Sequence, residues 1–199
     1  GSALPFPDEL TVHGIDHGDA PRVGVVFDVP EQDHPRPALA VDPRCLDALL
    51  TCGWSFVMQG KWAESLHYFK KSLEIEPENK AARVKYAYCL GALGRGAEAL
   101  ELYAALIEEY PGDYRLYTDM GIIHNSMGNV GQALSSYKKA VEIKPFYETF
   151  LNYGVILGRT GKFKEAVHYL KLYLQNTPEK NTPGVVKVRQ AVALWEKRI

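Results

Sequence analysis

Residues 128–145 read GNVGQALSSYKKAVEIKP, residues 60–77 read GKWAESLHYFKKSLEIEP, and residues 161–178 read GKFKEAVHYLKLYLQNTP. Each stretch opens on glycine, places a small residue sixth and a large apolar or aromatic residue tenth, and closes on proline. GRGAEALELYAALIEEYP at 94–111 follows the same plan. The prolines Pro43, Pro77, Pro111, Pro145 and Pro178 are 34, 34, 34 and 33 residues apart, and Gly60, Gly94, Gly128 and Gly161 keep the same period. A fixed spacing in this range is the signature of stacked structural repeats.

Each repeat divides at its glycine into two helix-length stretches. In CLDALLTCGWSFVM, Leu46, Leu49, Leu50, Phe56 and Val57 return at three- and four-residue steps. In WAESLHYFKKSLEI, Trp62, Leu66, Phe69 and Leu73 form one face while Lys70 and Lys71 fall outside it. That periodicity predicts amphipathic helices, not strands. Glycine ends the first helix because it takes a left-handed backbone cheaply. Proline ends the second because it cannot continue the hydrogen-bond ladder.

Small residues recur where the paired helices must cross closely. Gly53, Ala87, Gly121 and Gly154 form one column, and Ser65, Ala99, Ala133 and Ala166 its counterpart. Between them stand the large fillers Phe69, Tyr103, Tyr137 and Leu170. These columns, the glycine turn and the closing proline resemble the tetratricopeptide repeat family in four successive units from about 44 to 178. The first helices carry that family's early aromatic as Tyr117 and Phe150, but have Leu49 and Arg83 in the other two repeats. The resemblance implies an all-α fold: a right-handed superhelical solenoid of about four helix-turn-helix repeats. The expected division is 1–43 as a non-repeat acidic segment, repeats at 44–77, 78–111, 112–145 and 146–178, and a capping helix over 179–199.

The ends are read separately. In TPGVVKVRQAVALWEKRI, Thr182 is placed to cap a helix and Pro183 to occupy its first turn. Val185, Val188, Val192 and Trp195 face inward, while Lys187, Arg189, Lys197 and Arg198 stay wet. At the front, VGVVFDV at 23–29 is a β-branched run between Pro21 and Pro30, and a short strand is the local expectation there. Gly1-Ser2 resembles a cloning remnant and Ala3 follows without methionine. The natural chain is therefore expected to extend upstream, with an export signal as the expected missing piece and a cytoplasmic protein as the alternative.

The bulk composition is that of an ordinary globular protein: 46% hydrophobic and 24% charged residues, with a net charge of −1. No apolar run approaches the ~20 residues of a membrane helix, so no membrane span is expected. The charge is unevenly placed. Eight acids against Arg22 and Arg36 give residues 1–43 a net of −6, and the remainder +5. Residues 159–199 carry nine basic and three acidic groups, a net of +6, but without the interleaved aromatics suited to base stacking, so nucleic acid is a minor alternative. Three cysteines, Cys45, Cys52 and Cys89, form no pair with metal-site spacing and, being odd in number, no disulfide framework.

Little in the chain suggests catalysis. HGIDHGDAP at 13–21 gathers His13, Asp16, His17 and Asp19, but its glycine-rich flanks provide no rigid spacing, and it reads as a solvated acidic loop. No nucleophile elbow, phosphate loop or zinc-protease motif occurs. No enzyme activity, cofactor, metal or small-molecule substrate is expected. Stacked helix pairs instead offer the inner face of their first helices. That wall is expected to comprise Leu50, Trp54, Val57, Val84, Tyr88, Arg115, Ile122, Asn125, Leu151, Val155 and Arg159, with Trp54 and Tyr88 as anchors for a peptide or amphipathic helix. Some relatives hold a chaperone's C-terminal carboxylate with lysine and asparagine. The matching positions here are Leu50, Trp54, Tyr88, Arg115 and Asp119, of which Arg115 alone is suited. Two function classes follow. One is a protein-binding scaffold. The other is a self-assembly module, a homo-oligomer or a self-docked chain, whose N-terminal segment sits in the groove in cis or in trans.

Overall fold

The structure, a computed structural model, describes residues 45–178 and 180–199. Among these residues there are nine α-helices and no strand. They are α1 (Leu46–Met58), α2 (Trp62–Ile75), α3 (Lys80–Ala92), α4 (Gly96–Glu109), α5 (Tyr114–Ser126), α6 (Val130–Ile143), α7 (Tyr147–Arg159), α8 (Phe163–Asn176) and α9 (Pro183–Glu196). The strand expected at 23–29 and the acidic loop at 13–21 lie outside the described residues. Helices α1–α4 belong to one compact unit and α5–α9 to a second.

Each helix pair turns at its glycine. Gly60, Gly94, Gly128 and Gly161 have φ of 70, 77, 77 and 80°, a left-handed backbone that strains any side-chain-bearing residue. Beyond the second helix, Pro77, Pro111 and Pro145 each stand two residues past the last helical one. Side chains finish several helix starts: Asn79 Oδ1 accepts from the Ala82 amide at 3.0 Å, and Thr182 Oγ1 from Val185 at 3.4 Å.

The small columns are where the paired helices touch. A Cβ placed on Gly53 would stand 2.7 Å from the Phe69 ring, on Gly121 2.6 Å from the Tyr137 ring, and on Gly154 2.8 Å from Leu170. The fillers are fully enclosed: Phe69, Tyr103, Tyr137 and Leu170 are at most 1% exposed. Burying each such side chain contributes roughly 1.5–3 kcal/mol, so the crossing is set by one large residue filling the space a small one leaves. Ser65 departs from the alanines of its column for a visible reason. Its hydroxyl donates to the Gly53 carbonyl at 2.8 Å and lies 3.3 Å from Cys89 Sγ.

Arg83, which replaces the early aromatic of the second repeat, is held by charge. Its guanidinium reaches Glu109 at 2.6 and 2.8 Å and Glu78 at 3.1 Å, tying α3 to the end of α4. In the second unit the Thr118 and Thr149 hydroxyls meet at 3.0 Å between α5 and α7. Helix α9 covers α8 with Val185, Val188, Val192 and Trp195, all buried. The Trp195 ring sits directly against the α-carbon of Gly158, leaving no room for a Cβ there. Lys187 is half-buried, whereas Arg189, Lys197 and Arg198 are exposed.

Candidate functional site

In the first unit, α1 and α3 bring Leu50, Trp54, Val57 and Tyr88 into one apolar cluster centred on Val57, Phe69 and Cys89. The residues of this face divide by exposure. Val57 is buried, whereas Leu50, Trp54, Val84 and Tyr88 keep part of their surface accessible. Tyr88 is braced edge-on by Trp62, with ring centroids 5.8 Å apart and planes at 68°. Lys85, one turn before Tyr88 on α3, places its ammonium 3.7 Å from the centre of the Trp54 ring. A cation over an indole face is attracted by the ring quadrupole, by about 0.5–1 kcal/mol when exposed. Lys85 is the member of this wall that apolar patterning does not reveal. Its position three residues before Tyr88 is the signal that places it on the same helix face. Behind the wall, burial pushes the Cys89 thiol up to about 11, against a smaller opposite pull from its Ser65 hydrogen bond. It acts as core, not as a nucleophile.

In the second unit the expected wall residues are distributed differently. Ile122 on α5 and Leu151 and Val155 on α7 are buried, Asn125 is half-buried, and Arg115 and Arg159 are exposed. Every residue from Thr149 to Gly158 is buried, Asn152 included. Arg115 is already engaged. Its guanidinium is bidentate to Asp113, Nε to Oδ1 at 2.9 Å and a terminal nitrogen to Oδ2 at 3.0 Å. Asp113 also accepts from the Arg115 amide at 3.2 Å, at the start of α5. The hydrogen bond to Asp113 raises the Arg115 pKa further, so this charge is spent on its own helix start. Tyr137 lies beneath with its hydroxyl enclosed and without a hydrogen-bond partner among the described residues. Burial, and secondarily the charge of Asp119, hold that phenol well above its usual range.

The basic C-terminal stretch is tied into the fold. Lys180 donates to the Leu174 and Gln175 carbonyls at 3.1 and 3.0 Å, satisfying the end of α8. Arg189 donates to the Lys180 carbonyl at 3.0 Å, and Lys171 pairs with Glu196 at 2.7 Å. No cluster of three or more metal-ligating side chains occurs among the described residues, and none of their helices is long and apolar enough to cross a membrane.

Paired helices with a left-handed glycine turn, a small-against-large crossing and an apolar first-helix face define a helical-repeat protein of the interaction-scaffold class. Models of the Tetratricopeptide repeat match residues 56–120, 114–147 and 147–180, more than half of the chain, which therefore belongs to the tetratricopeptide repeat family. Tetratricopeptide repeat protein 6 of Homo sapiens is 26% identical over 144 residues, covering 71% of this chain and 27% of that protein. The chain thus spans about a quarter of that relative's length. Among solved structures, a tetratricopeptide repeat protein from Parabacteroides merdae superposes with a TM-score of 0.68 at 19% identity, covering 81% of this chain and 62% of that one. YrrB, described as a TPR protein with an unusual peptide-binding site, gives 0.57 at 21% identity over 83% of this chain and 80% of its own. These likenesses establish the all-α repeat fold.

Proposed function

We propose that this protein is a non-enzymatic scaffold that binds an extended peptide or an amphipathic helix of a partner protein on the α1/α3 face. The observation that carries this reading is the Trp54–Tyr88 pair. Both rings rest on a complete core yet keep accessible surface, and Lys85 adds a cation beside them. Large aromatics on a preformed wall are the usual anchors of peptide recognition. They lose little conformational entropy on binding because neighbours already fix their rotamers. The peptide-binding site in YrrB's description supports the reading by family likeness.

The division into repeats 44–77, 78–111, 112–145 and 146–178 with a cap over 179–199 is proposed on the same footing. So is the second unit's own share of the wall, with Asn125 and Arg159 as its polar contacts. The structural contacts of Lys171, Lys180 and Arg189 favour a tied-down basic end over a nucleic-acid surface.

A displayed random-peptide library selected on the whole protein tests the reading. Trp54→Ala with Tyr88→Ala should abolish capture of the selected peptides while helicity is unchanged. Lys70→Ala, an exposed change on α2, should leave capture intact. Binders indifferent to the double substitution would move the site elsewhere.

A further inference from the structure

Several half-buried rings of the first unit are covered by the chain's own cations. Lys85 holds its ammonium 3.7 Å from the centre of the Trp54 ring, Lys80 lies 4.0 Å from the centre of Tyr110, and Lys61 5.8 Å from that of Phe56. Tyr88 is braced by another ring, the edge of Trp62 at 5.8 Å. The three cations of α3 are all engaged within the protein: Lys80 and Lys85 over rings, and Arg83 by Glu78 and Glu109.

At Trp54 this arrangement decides what a partner can offer. The indole packs on the cluster of Val57, Phe69 and Cys89, one residue each from α1, α2 and α3. The half-buried side chain of Lys85 lays its ammonium over the ring, as long amphipathic side chains do when their stems are covered. A second cation attracted to the same ring would have to come within about 6 Å of its centre. There it meets the first charge at close range, and like charges that near repel. An apolar side chain meets no such repulsion. Leu50, Val84 and Tyr88, all half-buried, offer it surface to remove from water.

We infer that Lys85 sets the specificity of the α1/α3 face: the partner seats an uncharged apolar side chain, such as leucine, methionine or phenylalanine, against Trp54 and Tyr88, and a lysine or arginine at that point is rejected. The inference rests on the peptide-binding reading of that face and names the partner's chemistry there. The ring face that would attract a basic segment is taken by the chain's own ammonium, which stays on the indole when the partner binds. Lys85 acts by holding that place.

The test selects a displayed random-peptide library on the whole protein and on its Lys85→Gln and Lys85→Arg variants, each checked for unchanged helicity. Peptides whose capture is lost in Trp54→Ala with Tyr88→Ala report on this face. Among them, lysine and arginine should be depleted on the unaltered chain and on Lys85→Arg, which keeps a cation over the ring, and should return on Lys85→Gln. One selected peptide is then made in two forms, with leucine or with arginine at its most binding-sensitive position. The arginine form should bind Lys85→Gln more tightly than the unaltered chain by about two- to fivefold, the worth of one exposed cation–ring contact. The leucine form should change by less than about twofold. Equal shifts of both forms would make Lys85 a brace for Trp54 and overturn the proposal. Basic peptides enriched on the unaltered chain that need Trp54 and Tyr88 would sink the exclusion alone and leave the scaffold reading standing. A library without any Trp54-dependent peptide fails the scaffold reading itself, and this inference with it.

Discussion

Gly121→Ala adds one methyl group where the structure has no room for it. The new Cβ would stand 2.6, 2.8 and 2.9 Å from three carbons of the Tyr137 ring. Ordinary contact begins near 3.4 Å, so the ring must retreat by about 0.8 Å. It has nowhere to go: Tyr137 is fully buried, with Tyr153 tilted against it at 6.4 Å between centroids. Overpacking of this kind costs about 1–3 kcal/mol. Alanine's higher helix propensity returns up to about 1 kcal/mol, leaving a net loss of about 0–2 kcal/mol. Gly131→Ala supplies the control, because it is also helical, lies on α6, and its Cβ meets nothing within 4 Å. That change should stabilise slightly. The two identical substitutions should therefore differ by about 1–3 kcal/mol, read from urea midpoints at constant slope. The slope must be checked, since repeat arrays can lose cooperativity. If Gly121→Ala stabilises as much as Gly131→Ala, the close crossing of α5 and α6 is wrong.

Three further outcomes are expected. Trp195→Ala should destabilise by about 3–5 kcal/mol, since it empties a fully packed site against Gly158, and amide exchange should quicken in α7 and α9; unchanged exchange there would remove Trp195 from the core. His124 has a buried Nδ1 without a partner among the described residues, and burial lowers its pKa. The unfolded chain then takes up this proton at higher pH than the folded one, so stability should fall as pH drops through about 6.5; His124→Gln should flatten the slope between pH 7 and 5, and a parallel slope in the variant contradicts this account. Native alkylation at pH 8 should label half-buried Cys45 well before Cys52 or Cys89, because burial raises the Cys89 thiol to about 11; mass spectrometry showing Cys89 modified first would refute its enclosure.

The repeat architecture was readable because it is written several times in register. Glycine, small residue, filler and proline each recur at fixed offsets, so one ambiguous position is corrected by its equivalents. Features made by a single pair were not readable. Nothing in GVILGR distinguishes Gly158 from a turn glycine, since its partner Trp195 lies 37 residues further on. The same limit applies to α7. The first-helix pattern places Leu151 and Val155 on an apolar inner wall open to a ligand, yet the helix is enclosed from Thr149 to Gly158. Periodicity reports which residues share a face, not what the rest of the chain lays on it. Arg115 looked suited to a ligand's carboxylate, but Asp113, two residues earlier, holds it. The candidate anchors Trp54 and Tyr88 were legible as aromatics at equivalent helical positions. Lys85 over the indole was not, because that contact joins two helices 31 residues apart in sequence.

The molecule also uses one residue type for two unrelated geometric reasons, and a change of handedness separates them. At Gly60, Gly94, Gly128 and Gly161 the backbone has positive φ and a Cβ meets nothing within 4 Å. At Gly53, Gly121, Gly154 and Gly158 no positive φ is found, but a Cβ meets a ring or a leucine. The first group is barred from L-alanine by chirality, the second by volume. A mirror-image alanine, placed by chemical ligation, would relax into the turns because its preferred dihedrals are the inverse ones. In the crossings it would gain nothing, because the space there belongs to the neighbouring helix.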